Sequence, residues 1–314
     1  MRLCHPILPC LVAALVAPCA FATTITGGGY TATNEIAFQW DELANSNHTP
    51  VAGATRILGS DDDNQISFVP IGFEFGFLSD RHDGTVNPYR QSSYTSDYRN
   101  ATLGVTSNGL LTFGSPVYGG FPGVRVTSGD NTALGGATST LTMPIIAAAW
   151  DDWSTVTNGT DGVYYATLGN PGSRRFVVEW HGTRHYGSAS NPTPVSFEVV
   201  LYEHGYAGSY PSAGVNDTFE IRYQNMNTGN SATAYGASAT VGLRDVYADF
   251  YGGYLQWSHM QSVLADQTSV RFTDSLFGDM SGAAKASAVP EPTSILLLLT
   301  SLGLMLRSLR CRPA

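Results

Sequence analysis

Between positions 20 and 310 there is no cysteine; the four present, Cys4, Cys10, Cys19 and Cys311, sit at the two ends. That excludes a disulfide framework and a cysteine nucleophile from the interior, so packing alone must hold it together. Lysine is almost absent: Lys285 is the only one in 314 residues. Between Thr23 and Val289, Lys285 and eleven arginines face 24 carboxylates. Such a balance provides no basic patch for nucleic acid. No Gly-x-Ser-x-Gly elbow occurs, and Gly27-Gly28-Gly29 lacks the lysine and following helix of a phosphate loop. A long helix and a repeat of fixed period are missing too. What remains is acidic and rich in glycine, threonine, serine, asparagine and tyrosine, the composition of an exported β protein that stays soluble in an extracellular matrix.

The two ends carry the apolar segments. Arg2 precedes a mostly apolar stretch, Ile7 to Ala17, and Ala20-Phe21-Ala22 places small residues where a signal peptidase reads. Residues 1–22 are expected to be a signal peptide cut between Ala22 and Thr23. At the other end, an uncharged run over 294–306 is followed by Arg307, Arg310 and Arg312. The run is expected to form a short transmembrane helix, and the arginines to stay cytoplasmic and halt export. Hydropathy gives no reason for Val289-Pro290-Glu291-Pro292 just before it; a rigid, helix-refusing tripeptide there suits recognition by an enzyme.

The interior reads as strands. Thr55–Leu58 and Glu35 to Trp40 are candidate short strands. Ile71, Phe73, Phe75 and Phe77 alternate with Gly72, Glu74 and Gly76, the pattern of a half-buried strand with an aromatic face. Ser107-Asn108-Gly109 lies between two apolar alternations and predicts a hairpin. The run from Met143 to Trp150 predicts a strand buried on both faces, ended by Asp151 and Asp152. Alternation marks further strands at 163–168, 174–181, 195–203, 218–224, 239–243 and 269–273. Residues 254–264 are ambiguous. About ten to twelve short strands imply an all-β, antiparallel sandwich. The expected division is a signal peptide (1–22), an N-terminal β extension (23–65), the sandwich (66–277), a linker (278–289) and the C-terminal segment (290–312).

Two resemblances follow from these residues. Val289-Pro290-Glu291-Pro292, the apolar run and the arginine tail resemble a PEP-CTERM sorting signal. This implies transient anchoring in the inner membrane of a Gram-negative bacterium, cutting by an exosortase, and delivery to the cell surface or exopolysaccharide matrix. The order Ile71-Gly72-Phe73-Glu74-Phe75-Gly76-Phe77, Ser107-Asn108-Gly109 to Phe113, Pro144 to Asp152, Val163-Tyr164-Tyr165 and Arg175 to Trp180 resembles the NIDO-type extracellular module. That resemblance implies adhesion or matrix association and assigns no binding residue.

Four groups are candidates for chemistry. Asp151 and Asp152 lie between Trp150 and Trp153. Neighbouring residues on a strand point apart, so a glycosidase pair is disfavoured; strand termination is the ordinary reading and a calcium site the alternative. Asp61-Asp62-Asp63 is the densest oxygen cluster, read as a solvated acidic turn with calcium again the alternative. His181 and His185 have the spacing of a helical zinc pair, but Gly182 and the strand pattern argue for a surface histidine pair. Tyr89, Tyr94, Tyr98, Tyr206 and Tyr210 fall in loops where they could stack on sugars. The expected function is structural or adhesive and non-enzymatic. A calcium-dependent carbohydrate-binding module is the alternative, and a polysaccharide-acting enzyme the second. Expected partners are signal peptidase, exosortase and matrix components.

Overall fold

The computed structural model describes residues 23–58, 65–73, 75–77, 102–113, 129–135, 144–155, 161–186, 193–203, 217–244 and 253–274. The signal-peptide stretch 1–22, the Asp61-Asp62-Asp63 turn, the loop tyrosines, the linker and the sorting segment lie outside these residues. Among the described residues no helix is long and apolar enough to cross a membrane.

Fifteen strands are described: β1 (Thr24–Gly27), β2 (Tyr30–Thr33), β3 (Thr55–Leu58), β4 (Ile66–Pro70), β5 (Thr102–Thr106), β6 (Leu110–Phe113), β7 (Ile145–Trp150), β8 (Trp153–Ser154), β9 (Gly162–Leu168), β10 (Arg175–His185), β11 (Val195–Tyr202), β12 (Phe219–Asn225), β13 (Thr240–Arg244), β14 (Tyr254–His259) and β15 (Thr268–Asp274). One sheet runs β1-β2-β15-β12-β11-β10-β9-β3, with β8 paired to β10, and the other runs β14-β13-β7-β6-β5-β4. Every pairing is antiparallel.

Alternation explains the stacking. Phe176, Val178 and Trp180 on β10, Phe197, Val199 and Leu201 on β11, and Phe219, Ile221 and Tyr223 on β12 join the core with Val105, Leu111 and Ile146 of the smaller sheet. Two aromatic side chains also bond across the layers. Trp180 Nε1 donates to the Thr106 carbonyl at 2.8 Å and Tyr223 Oη to that of Ala148 at 2.8 Å. Each satisfies a polar atom that burial would otherwise strand. Strand β7 is buried at all six positions, because Leu134 packs with Ile145, Ala147 and Trp150 on the face turned away from the main core.

The hairpin at 107–109 forms where expected, with a different loop. Leu103, Gly104 and Val105 pair with Phe113, Thr112 and Leu111; β5 ends at Thr106 and β6 begins at Leu110, which leaves three residues in the turn and only Gly109 at positive φ, +77°. This is the length class that places glycine in the left-handed position. A Cβ on Gly109 would stand 2.5 Å from the Ala149 carbonyl oxygen. Gly109→Ala is therefore expected to cost at least about 1–3 kcal/mol from backbone strain alone, read as a lower thermal midpoint. An unchanged midpoint would refute this account of the turn.

Two expectations are corrected. Of residues 71–77, the described ones (71–73 and 75–77) form no strand, although Ile71, Phe73, Phe75 and Phe77 are all buried. Gly72 turns the chain at φ +85°. Gly76 N donates to Asp217 Oδ2 at 2.8 Å and Asp217 N to Gly76 O at 2.7 Å, so loop contacts replace a ladder there. Residues 35–40 also form no strand. The first strands instead lie in the glycine-rich lead, where Gly28 and Gly29 at φ +56° and +79° make the turn between β1 and β2. From the 23–65 stretch, β1, β2 and β3 belong to the larger sheet.

Candidate functional site

Ionisable groups gather at two places. The first is the outer face of the larger sheet. Cross-strand partners form one row, Arg56–Tyr164–Glu179–Glu198–Arg222–Ser269, over β3, β9, β10, β11, β12 and β15. Alternation puts these residues opposite the core, yet Glu179 and Glu198 are 0% exposed and Arg222 is 1% exposed. A strap around residues 41–51 covers them. Leu43 and Ala44 pack on Tyr164, Ala166, Val177, Val200 and Tyr202. Leu43 N donates to Glu179 Oε2 at 2.8 Å, Asp41 N to Glu198 Oε1 at 3.4 Å, and Tyr164 Oη to the His48 carbonyl at 2.8 Å.

Arg222 is the centre of this network. Its Nε donates to Glu220 Oε2 at 2.7 Å, its Nη1 to Glu198 Oε1 at 2.9 Å and Asp41 Oδ2 at 3.1 Å, and its Nη2 to Tyr202 Oη at 2.7 Å. Arg175 also holds Asp41, and Arg271 also holds Glu220. Burial pushes Glu198 well above the usual carboxylate range, against the pull of Arg222. Burial likewise raises Glu179, opposed by its 2.7 Å contact with His181 Nδ1. For Asp41 burial acts upward too, but Arg175 and Arg222 hold it below its ordinary value. Two carboxylates with opposed tendencies have the electrostatics of an acid–base pair. Here they are sealed beneath the strap, and structural ion networks shift groups in the same way.

The second cluster surrounds Asp151, which is 3% exposed. Asp151 Oδ1 accepts from Asp152 N at 3.0 Å, His185 Nε2 at 3.2 Å and Asn131 Nδ2 at 3.5 Å, and Oδ2 accepts from Ser238 Oγ at 2.5 Å. His185 Nδ1 faces the Tyr186 carbonyl at 2.8 Å. Burial alone would lower His185, but its bond to Asp151 and that carboxylate's charge outweigh burial and raise it. Asn108 supports the cluster from the hairpin: its carbonyl accepts Asp151 N at 3.3 Å and its side chain accepts Trp153 N at 2.8 Å.

The structure thus brings Asp151 and His185 together and keeps His181 apart with Glu179. Both histidines lie within β10, on either side of Gly182 (φ +66°) in its bulge, and their side chains are only 14% exposed. They are not a surface pair. Both Asp151 oxygens are engaged by protein donors, an arrangement that ties the end of β7 to β10. Among the described residues no three His, Cys, Asp or Glu gather as a metal site. Sequence reading missed Asn131, Ser238 and Arg222. Asn131 and Ser238 lie 20 and 87 residues from Asp151, and no local pattern links them. For Arg222 there was a signal: it stands between Ile221 and Tyr223, facing away from the core beside acidic outer positions on neighbouring strands.

The described residues define a class by fold, an all-β sandwich of antiparallel sheets with an outer charged row covered by a strap. Within that class the relationship is specific. Residues 88–276 match the family described as NIDO related, more than half of the chain, and the chain belongs to that family. Strands β1 to β4 precede the matched region and complete both sheets. No curated protein matches the chain, and no solved structure does.

Proposed function

We propose that the protein is an exported, non-enzymatic domain of structural or adhesive role, sorted by residues 289–312 to the cell surface or exopolysaccharide matrix. The observation that carries the non-enzymatic reading is the enclosure of Glu179, Glu198 and Arg222. The richest array of acid, base and cation among the described residues is consumed in closing the strap over the sheet, where a substrate has no access. Membership of the NIDO-related family agrees with an extracellular setting.

The sorting reading rests on the terminal motifs, and the placement of the outermost strands supports it. Strand β1 opens at Thr24 and Thr23 N donates to Asn34 Oδ1 at 2.7 Å, so a cut after Ala22 leaves the sheet whole. Strand β15 ends at Asp274, which leaves the linker 278–289 to present Pro290-Glu291-Pro292. Signal peptidase and exosortase are the processing partners, and the inner membrane is a transient one. In its native host the protein is expected in the matrix, cut near Pro290, and in an exosortase-deficient strain membrane-bound and uncut. Fractionation with mass spectrometry of the C-terminus reads both. Delivery to the matrix in both strains with an intact terminus would refute the sorting reading.

A further inference from the structure

Strand β2 leaves the larger sheet at Thr33, opposite Arg271, while β15 extends back to Thr268. Asn34 and Glu35 therefore pass the first residues of β15 outside any ladder. The gap opens into a cavity of about 250 Å³ between the two sheets. Asn34, Glu35, Trp257, Val263, Leu264 and Thr268 are among the residues that line it.

Two features specify a ligand. The first is the lining, an apolar wall including an indole beside a carboxylate, an amide and a hydroxyl. Such a wall matches the C–H face of a sugar ring, and the polar groups match its hydroxyls. The second is charge. Glu35 is an exposed acid in the lining, and among the described residues no lysine or arginine lines the cavity, which disfavours an acidic sugar and favours a neutral or amino-substituted one. The size fits one ring: 250 Å³ is just below the range of about 300–1,000 Å³ typical of ligand pockets.

We propose that this cavity binds a single neutral or amino-substituted pyranose residue of an extracellular polysaccharide. The proposal deepens the matrix reading and rests on it for the source of the sugar. It needs neither calcium nor the loop tyrosines. The test is calorimetric titration of the exported protein, as its host processes it, with glucose, galactose, N-acetylglucosamine, glucosamine and glucuronate at millimolar concentrations. Saturable binding is expected for at least one of the first four, unaffected by a chelator, and none for glucuronate. Glu35→Gln, at an exposed site, is expected to weaken binding about tenfold through loss of a charged acceptor. Val263→Trp, which fills the cavity from a half-buried loop position, is expected to abolish binding while the melting curve stays cooperative. No saturable binding to any of the sugars, equal binding in Val263→Trp, a need for calcium, or preference for glucuronate would each overturn the proposal. Sorting is read separately. If Val263→Trp reaches the matrix normally and no sugar binds, the cavity proposal fails and the sorting reading stands. If sugar binds while the protein is mislocalised, the reverse holds.

Discussion

Arg222→Met is expected to lower the melting temperature by about 6–20 °C, the consequence of about 3–5 kcal/mol for removing one partner of a buried ion cluster in a domain of this size. The loss does not come from Arg222's own attractions, since a buried cation gives up much of its Coulomb gain to desolvation. It comes from what is left behind. Glu220 keeps Arg271 and Asp41 keeps Arg175, but among the described residues the one cation paired with Glu198 is Arg222. Glu198 Oε2 already has no hydrogen-bond partner. Adding Glu198→Gln to Arg222→Met should therefore recover most of the loss, and Glu198→Gln alone should cost little. Thermal unfolding by circular dichroism measures all three. If Arg222→Met melts within about 2 °C of the parent, less than about 1 kcal/mol, the outer network is not what holds the strap.

The same comparison separates two roles for the strap. If it is a permanent part of the fold, Arg222→Met destabilises the whole domain and the transition stays single. If it is an independent flap, the variant loses protection only at the backbone amides of residues 41–51, which hydrogen exchange would detect. The shared apolar cluster of Leu43 and Ala44 with Val177 and Val200 favours the first outcome.

The strands of the sandwich were legible because alternation is a local property. Phe176, Val178 and Trp180, or Phe197, Val199 and Leu201, declare their face within six residues. The continuous apolar run at β7 also reads correctly, since a strand covered on both sides needs no polar face. Residues 71–77 mislead for an instructive reason. Their alternation reports burial on one side, which is real, while strand formation needs a ladder partner, and Gly72 and Asp217 divert the backbone bonds. The β1–β2 hairpin shows the opposite case: Gly28-Gly29 between Thr-Ile-Thr and Tyr-Thr-Ala-Thr is a turn signal, hidden by the low hydrophobicity of its flanks. The two polar clusters were illegible because their members are joined by topology. Asp151 and His185 were each singled out, but only the pairing of β8 with β10 brings them into contact. The acids of the outer face look like solvated positions until the strap, drawn from far upstream, covers them.

Asp151→Asn is expected to reverse the sign of a pH effect as well as to destabilise. In the parent, the Asp151 carboxylate raises His185 above its ordinary 6.5. A histidine raised in the folded state contributes stability that is complete below the unfolded value and is lost as pH rises through the folded one. The parent should therefore lose this contribution above pH 6.5. In Asp151→Asn the counter-charge is gone and burial, the largest influence on His185, dominates. Against it stand only the Tyr186 carbonyl and the charge of Asp152; the folded value is expected to fall, and stability is instead lost as pH drops. His48 and His259 are both lowered by burial and add a loss on the acid side to both proteins, so the informative quantity is the difference between parent and variant. That difference should be largest below pH 6.5, at about 3–5 kcal/mol for a buried pair broken on one side, and should shrink as pH rises above His185's folded value. Melting curves at stepped pH report it directly. A difference that is flat across neutrality would mean that Asp151 serves Ser238, Asn131 and the Asp152 amide through hydrogen bonds alone. His185 would then be neutral, donating one proton to the Tyr186 carbonyl, and the cluster would be a hydrogen-bonded clasp instead of an ion pair between the sheets.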